Sequence, residues 1–311
     1  MQVVDVPLGD PGPGEVRVRH SAIGVNFIDT YQRSGLYKQA VPFVLGAEAA
    51  GVIDAIGPGV TQLAVGDRVA YSARGPGSYA EARVLDVNPV FKLPDSTDFE
   101  TAAAMMLKGL TVNYLLQRTR PISGLQAGDM IVWHAAAGGV GLIACQWARA
   151  LGLIVIATAG SDEKCELAKR HGATHAINYR REDVVARVRE LTGGRGVKVV
   201  YDSVGKDTWE RSIECLAPFG LMVSFGNASG PVAPVNLLSL SKNSLYVTRP
   251  TLNTHLADRS VGEQMASELF DVVSTGKVKV EIGARYKLDD AAQAHRDLES
   301  RNTTGSLILT L

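Results

Sequence analysis

From Asp129 onward the sequence alternates short, nearly continuous apolar strands with helices, and this constrains the fold more than any other feature. Met130–His134 reads as a strand, Gly139–Leu151 as a helix closed by Gly152, and Leu153–Ala159 as a strand. Asp162–His171 is a helix closed by Gly172, His175–Tyr179 a strand, and Glu182–Leu191 a helix stopped at Gly193-Gly194. Val197–Asp202, Asp207–Leu216 and Leu221–Gly226 continue as strand, helix and strand. Glycine just past a helix end supplies the left-handed residue that terminates it. Repeated β-α-β units with Val/Ile-rich strands imply an α/β fold with a parallel sheet covered on both faces.

The first hundred residues follow a different grammar. Short apolar runs at Glu15–His20, Ala50–Ile56 and Asp67–Tyr71 are punctuated by Pro11-Gly12-Pro13-Gly14, Gly57-Pro58-Gly59 and Gly75-Pro76-Gly77. Closely spaced strands between such turns suggest a compact β-barrel-like domain. A long helical pattern, Ala102–Leu116, separates the two regimes. After Pro250 the pattern loosens into a helix at Val261–Thr275, strands at Ile282–Leu288 and Ser306–Leu311, and a helix at Ala291–Ser300. A chain of 311 residues, 46% of them hydrophobic, is long enough for two such domains.

The turn that opens the parallel region reads Ala135-Ala136-Ala137-Gly138-Gly139-Val140-Gly141. It follows a strand and begins a helix. Glycines there let backbone approach a pyrophosphate, and the helix N-terminus offers it free N–H groups and partial positive charge. Alanine at the first position departs from the GxGxxG form. The next strand ends Thr158-Ala159-Gly160 without an acid, and Ser161, Asp162, Glu163 and Lys164 follow. An acid at that tip takes the ribose hydroxyl of NAD, whereas a nearby base accommodates the 2′-phosphate of NADP. Ser161 or Asp162 is placed to cap the helix, Lys164 to reach a phosphate, and Asp162 or Glu163 to bind ribose instead.

Several other classes of function are disfavoured. Lys plus Arg and Asp plus Glu each number 32, so the net charge is zero and gives no global attraction to nucleic acid or an anionic membrane. The six histidines (His20, His134, His171, His175, His255, His295) never pair with a cysteine at ligand spacing, so no metal site is expected. Cys145, Cys165 and Cys215 are far apart, each expected inside a helix, as in reduced, cytosolic proteins. The N-terminal residues lack a basic n-region followed by an apolar h-region, so they are not expected to be a signal peptide, and no apolar stretch reaches membrane-spanning length. A cytoplasmic location is expected.

Segments along nearly the whole chain resemble the zinc-free, zeta-crystallin-like quinone oxidoreductases of the medium-chain dehydrogenase/reductase superfamily. They are residues 22–31 (AIGVNFIDTY), 46–51 (GAEAAG), 66–69 (GDRV), 108–111 (KGLT), 135–141 (AAAGGVG), 201–205 (YDSVG), 224–227 (SFGN) and 298–301 (LESR). The resemblance implies a GroES-like β-barrel catalytic domain from residues 1–110 and 250–311. A Rossmann doubly wound parallel-sheet domain, residues 111–249, would bind NADP(H). Zinc-dependent relatives place a cysteine and a Gly-His-Glu near the positions of Asn26 and Gly46-Ala47-Glu48, and this chain has neither ligand. The family pattern places Asn26, Tyr31, Tyr37 and Thr111 around the nicotinamide and substrate. Ala137, Gly138, Gly139, Val140 and Gly141 would take the pyrophosphate. Gly160, Lys164, Tyr179 and Arg301 would gather at the 2′-phosphate, and Phe225, Gly226 and Asn227 at the nicotinamide end, with Ser203 among the cofactor-binding residues. Relatives begin about one strand earlier than Met1, which points either to a short form or to a truncated start.

The expected chemistry is metal-free hydride transfer from NADPH to a quinone or conjugated carbonyl in the interdomain cleft. Without a Lewis acid, an isolated carbonyl lacks polarisation, whereas a conjugated acceptor delocalises the incoming charge. Tyr31, Tyr37 or water could provide a proton. An enal or enone double-bond reductase is the alternative, and a non-catalytic NADPH-binding structural or RNA-binding protein is the alternative of another class. A homodimer is expected, with Leu237–Thr248 at the contact as an unpaired strand edge.

Overall fold

The computed structural model describes residues 1–73, 75–119 and 124–311. From the N-terminus the elements are β1 (Glu15–Val25), α1 (Phe27–Arg33), β2 (Glu48–Ile56), β3 (Arg68–Ser72), β4 (Ala82–Asp86), β5 (Val90–Lys92) and α2 (Phe99–Asn113). The alternating region comprises β6 (Met130–Trp133), α3 (Gly139–Ala150), β7 (Ile154–Ala159), α4 (Asp162–Arg170), β8 (His175–Asn178), α5 (Val184–Leu191), β9 (Val197–Asp202), α6 (Trp209–Glu214) and β10 (Leu216–Ser224). The last elements are β11 (Tyr246–Thr248), α7 (Leu252–His255), α8 (Arg259–Ser274), β12 (Ile282–Lys287), α9 (Ala291–Glu299) and β13 (Ser306–Thr310). Residues 1–10 are exposed and form no regular element.

The chain divides into two compact units. One contains Met1–Leu110, Asn253–Thr275 and Val280–Leu311; the other contains Thr111–Leu252 and Gly276–Lys279. In the first, the described residues form a seven-stranded sheet ordered β12-β13-β1-β2-β3-β5, with β4 also paired to β1. The β12–β13 pair is parallel; β1 pairs antiparallel with β2, β4 and β13. Val16 and Val18 point inward at alternate positions of β1 and pack with Ile53, Val69 and Tyr71. Further along, β1 is buried on both faces because α2 lies against it. A Cβ at Gly24 would sit 2.3 Å from the Ala103 carbonyl oxygen, so only glycine permits that approach.

In the second unit the described residues form a six-stranded parallel sheet ordered β11-β10-β9-β6-β7-β8. Reading β6 as the first strand, this is the 3-2-1-4-5-6 order of the Rossmann fold, and the direction of winding reverses between β6 and β9. Val132, Ile156, Ile177, Val200 and Met222 form its core with Val184, Val188 and Trp209. Trp133 is fully buried, stacked on Tyr201 at 4.6 Å between ring centroids and tilted against Phe225 at 5.7 Å.

Three element readings are corrected. The helix expected over Asp207–Leu216 is only Trp209–Glu214, because Asp202 takes the Thr208 hydroxyl and β10 begins at Leu216. Cys215 is consequently a cap residue, although all three cysteines are buried and free. The long helix after Phe99 ends as an α-helix at Asn113 and continues as one wider turn, Tyr114–Arg118.

Candidate active site

Asn26 stands where β1 hands over to α1, with extended backbone angles (φ −136°, ψ 155°) that suit the residue preceding a helix. Its side-chain Nδ2 donates to Glu48 Oε1 at 2.7 Å. Lys108 Nζ donates to the same oxygen at 2.8 Å, and the Leu107 backbone N–H donates to Oε2 at 2.6 Å. Glu48 and Lys108 are both buried, so their charges are matched with bonds in place, as burial of an ion pair requires. Gly24 is again permissive, since a Cβ there would lie 2.1 Å from Glu48 Oε1. One buried carboxylate thus binds both an amide and an ammonium.

A second chain of bonds begins on α1. The Asn26 backbone N–H donates to Asp29 Oδ2 at 2.8 Å, and the Tyr79 hydroxyl reaches the same oxygen at 3.0 Å. The Tyr79 hydroxyl is also 3.0 Å from His295 Nε2, while His295 Nδ1 is 3.1 Å from Arg33 Nη1. Arg33 can only donate, so Nδ1 accepts and Nε2 carries the hydrogen. His295 is pushed down to about 4, first by burial and then by the Arg33 charge, which fits this neutral tautomer. Gly46, at φ +93°, leaves room for Tyr79: a Cβ would meet its ring at 2.3 Å. Asp29 is fully buried, and desolvation raises its carboxyl to about 7.

Tyr31 is buried on α1 and meets Tyr37 edge-on at 5.3 Å between centroids. Thr111 is buried one turn beyond Lys108 on α2, at the start of the second unit. Arg301 lies in the first unit, in a left-handed turn (φ 58°) between α9 and β13.

The remaining expected cofactor residues fall at or beyond the carboxyl ends of β6, β7, β8, β9 and β10, the end of a parallel sheet where ligands bind. After β6, Ala135 adopts φ 53° and Gly138 precedes α3 in extended form. Gly139, Val140 and Gly141 form the first turn, whose N–H groups have no intrahelical acceptor. A Cβ on Gly141 would lie 2.5 Å from Ala136 Cα and its carbonyl oxygen, so α3 meets the loop at a distance only glycine allows. After β9 and β10, Gly226 lies against Ser203, with 2.4 Å between a Cβ there and the Ser203 oxygen. The Ala228 N–H donates to that Ser203 oxygen at 3.1 Å, and Arg249 Nη1 donates to the Gly226 carbonyl at 3.0 Å. Ser203, Phe225, Gly226 and Asn227 are therefore one assembled patch.

At the tip of β7, Gly160 lies beneath the Tyr179 hydroxyl: a Cβ would come within 2.6 Å of that oxygen and 3.6 Å of Arg180 Nε. Lys164 is lowered by burial and then by the Arg180 charge. Ser161 caps α4 by accepting from the Lys164 N–H at 3.3 Å. Asp162 is turned to Asn178 and Arg181. The tip thus gathers two cations and a phenol.

Below these loops, His134 Nδ1 is 2.8 Å from Thr158 Oγ1 and its Nε2 is 3.0 Å from Ser212 Oγ, which donates to Asp202 Oδ2 at 3.0 Å. The other Asp202 oxygen accepts from the Val204 and Gly205 N–H groups at 2.7 and 3.0 Å. Burial lowers His134, keeping it neutral. One buried network thus ties the strand ends that precede the loops at 135, 159 and 203.

Sequence reasoning did not assign Asp29, Glu48, Tyr79, Lys108, His134, Arg180, Asp202 or His295 to any role. Asp29, Glu48, Lys108 and Asp202 did sit inside segments carrying the resemblance, and charged residues in such apolar contexts were the available signal. No group of three or more His, Cys, Asp or Glu side chains among the described residues is arranged to hold a metal ion.

Comparison with known proteins agrees with this geometry. Residues 12–95 match the family model "Alcohol dehydrogenase GroES-like domain", and residues 139–271 match "Zinc-binding dehydrogenase". A quinone oxidoreductase of Pseudomonas aeruginosa is 55% identical over 98% of this chain and 94% of its own length. A 2-haloacrylate reductase of a Burkholderia species is 42% identical over 98% of this chain and 93% of its own. The crystal structure of the Escherichia coli quinone oxidoreductase complexed with NADPH superposes with a TM-score of 0.97 at 48% identity, covering 100% of this chain and 95% of that one. With a GroES-like unit, a Rossmann sheet and full-length relatives at these identities, the chain belongs to the quinone oxidoreductases of the medium-chain dehydrogenase/reductase superfamily.

Proposed function

We propose that this protein is a metal-independent NADPH:quinone oxidoreductase. The observation that carries the cofactor is the β7 tip, where the Tyr179 hydroxyl and Arg180 lie over Gly160, Lys164 feels the Arg180 charge, and Asp162 is engaged elsewhere. A 2′-phosphate fits that donor set, and a ribose diol, which calls for an acid, does not. The N–H groups of Gly139, Val140 and Gly141 would take the pyrophosphate, beside Ala137 and Gly138. Ser203, Phe225, Gly226 and Asn227 would hold the nicotinamide end, and Arg301 would add to the phosphate contacts. When bound, NADPH supplies a hydride.

The chain's own residues supply orientation. Asn26 is fixed by Glu48 and Lys108, Tyr31 is fixed against Tyr37, and Thr111 is held one turn beyond Lys108. These four, Asn26, Tyr31, Tyr37 and Thr111, are the proposed substrate-side residues; the first three belong to a catalytic part of residues 1–110 and 250–311, and Thr111 opens the cofactor part, residues 111–249. Because the Asn26 amide donates to Glu48, its carbonyl is left to meet a donor on cofactor or substrate. Quinones are the proposed acceptors, in line with the relatives' activity.

A second reading, reduction of a conjugated carbon–carbon double bond, is favoured by the 42% identity to the 2-haloacrylate reductase. Competing a quinone against an enal and a 2-haloacrylate for limiting NADPH decides between them. The quinone should be consumed with the highest kcat/KM; preference for either alkene would overturn the assignment.

We also propose a cytoplasmic homodimer. The buried, free cysteines fit a reducing compartment. No helix among the described residues is long and apolar enough to cross a membrane. The dimer contact is placed at β11, the sheet-edge strand where Tyr246 and Val247 are about two-fifths exposed, beside Leu237 and Leu238, each 76% exposed.

A further inference from the structure

Two buried oxygens on α1, Asp29 Oδ1 and Gln32 Oε1, have no hydrogen-bond partner among the described residues. Asp29 is 0% and Gln32 5% exposed. Residues three apart on a helix are side-chain neighbours, and a Gln–Asp pair at that spacing is within reach of a mutual hydrogen bond. With Asp29 ionised, both atoms would be acceptors without a donor, at the full cost of two unsatisfied buried groups.

The bonds around them determine where a proton can go. Arg33 donates to His295 Nδ1, so His295 Nε2–H donates to the Tyr79 oxygen, and the Tyr79 O–H in turn donates to Asp29 Oδ2. Oδ2 accepts a second bond from the Asn26 N–H. With Oδ2 doubly occupied by donors, Oδ1 is the place left for a hydrogen, and Gln32 Oε1 is the acceptor for it.

We propose that Asp29 is held as a neutral carboxylic acid whose Oδ1 proton is donated to Gln32 Oε1, making Asp29 a positioning residue for Asn26. The same carboxyl that this proton locks to α1 receives the Asn26 N–H, so it sets the turn from which the Asn26 side chain reaches Glu48. The charged groups around Asp29 do not remove the need for the proton. From β2, Glu48 opposes ionisation; from α2, Lys108 favours it but is bonded to Glu48. From α9, His295 is neutral, and Glu299 is paired with Arg33 on α1 itself. Burial is the largest influence and raises the carboxyl to about 7.

The sign of the pH dependence follows. Between the ordinary carboxylate range and about 7, folded Asp29 retains a proton that the unfolded chain has lost. The stability attributable to this group is therefore greatest at low pH, falls as pH rises through that window, and levels off above it. Asp29→Asn reproduces the neutral acid, accepting from Asn26 and Tyr79 through Oδ1 and donating to Gln32 through Nδ2.

The test is infrared difference spectroscopy of wild type against Asp29→Asn, with thermal midpoints from about pH 5 to about pH 8. Wild type should show a protonated-carboxyl band near neutrality that fades at alkaline pH and is absent in Asp29→Asn. The midpoint of Asp29→Asn should gain on wild type as pH rises, and the alkaline fall in wild-type quinone turnover should move to higher pH in the variant. Only that last readout rests on the proposed activity, so its failure alone would count against the reaction and not against the proton. Gln32→Met provides a check should Asp29→Asn fold poorly: the wild-type band should shift to the position of a carboxyl without an acceptor. Absence of any protonated-carboxyl band in wild type would overturn the proposal, with the Gln32 amide turned to donate Nε2–H to an ionised Asp29.

Discussion

On the proposed reading, cofactor selection rests on three side chains. A phosphate between Lys164 and Arg180 would relieve the mutual repulsion that helps lower Lys164, and it would accept from the Tyr179 hydroxyl beside Gly160. A charge-assisted bond contributes about 1.5–3 kcal/mol when well shielded. Lys164 is only partly buried and Arg180 is exposed, so solvent screening favours the lower end. Lys164→Ala should therefore weaken NADPH by about 10-fold and leave NADH nearly unchanged, as read from dissociation constants by fluorescence titration. Equal losses for both cofactors would make Lys164 an ordinary surface lysine. Lys164 was legible in the sequence because it follows an acid-free strand tip. Arg180 was not, because its relevance depends on Tyr179 folding back over Gly160, which no local pattern announces.

At the scale of elements, the junction between α3 and the loop after β6 is one of the tight points of the cofactor half. Adding one methyl at Gly141 would overlap the Ala136 backbone, which cannot rotate out of the way as a side chain could. Gly141→Ala should cost about 1–3 kcal/mol of stability and, by tilting the N-terminus of α3, weaken both cofactors together. A denaturant titration and the two dissociation constants check this; an unchanged midpoint with unchanged binding would show that the helix can shift without cost. This junction was readable from sequence, as was most of the parallel sheet, because strand periodicity and the glycines that end helices are local signals. Gly152, for example, adopts φ 77° just past Leu151, the cap of α3. The polar clusters were not readable. Lys108 meets Glu48 across 60 residues and Tyr79 meets His295 across 216, so only the folded chain shows that these residues belong together. The shortened α6 was missed for a similar reason, since Asp202 draws in the Thr208 hydroxyl from outside the helix.

For the whole molecule, the exposed edge at β11 and the apolar turn before it lead to an expectation of assembly. Tyr246, Val247, Leu237 and Leu238 present an apolar strip next to a strand edge that has no ladder partner among the described residues, which a two-fold copy can cover with the same strip of its own. Sedimentation equilibrium should give twice the 33.1 kDa chain mass. Leu238→Glu should shift the population toward monomer, and a wild-type monomer at micromolar concentration would exclude this contact. The two units also explain why the fold was partly legible: the Rossmann half is continuous in sequence apart from Gly276–Lys279, whereas the other unit is assembled from three segments. Residues 253–311 could be read as separate elements, but not as partners of β1, without the β1–β13 register.

This chain, freed of metal, is expected to pass reducing equivalents from NADPH to a quinone. The direct measurement is steady-state oxidation of NADPH and of NADH by chelator-dialysed protein, with and without a benzoquinone or naphthoquinone acceptor. The prediction is quinone-dependent turnover that survives chelation, with kcat/KM for NADPH exceeding that for NADH by at least about 10-fold, the equivalent of one charge-assisted contact. Turnover that disappears with chelation and returns with zinc, or a preference for NADH, would contradict it.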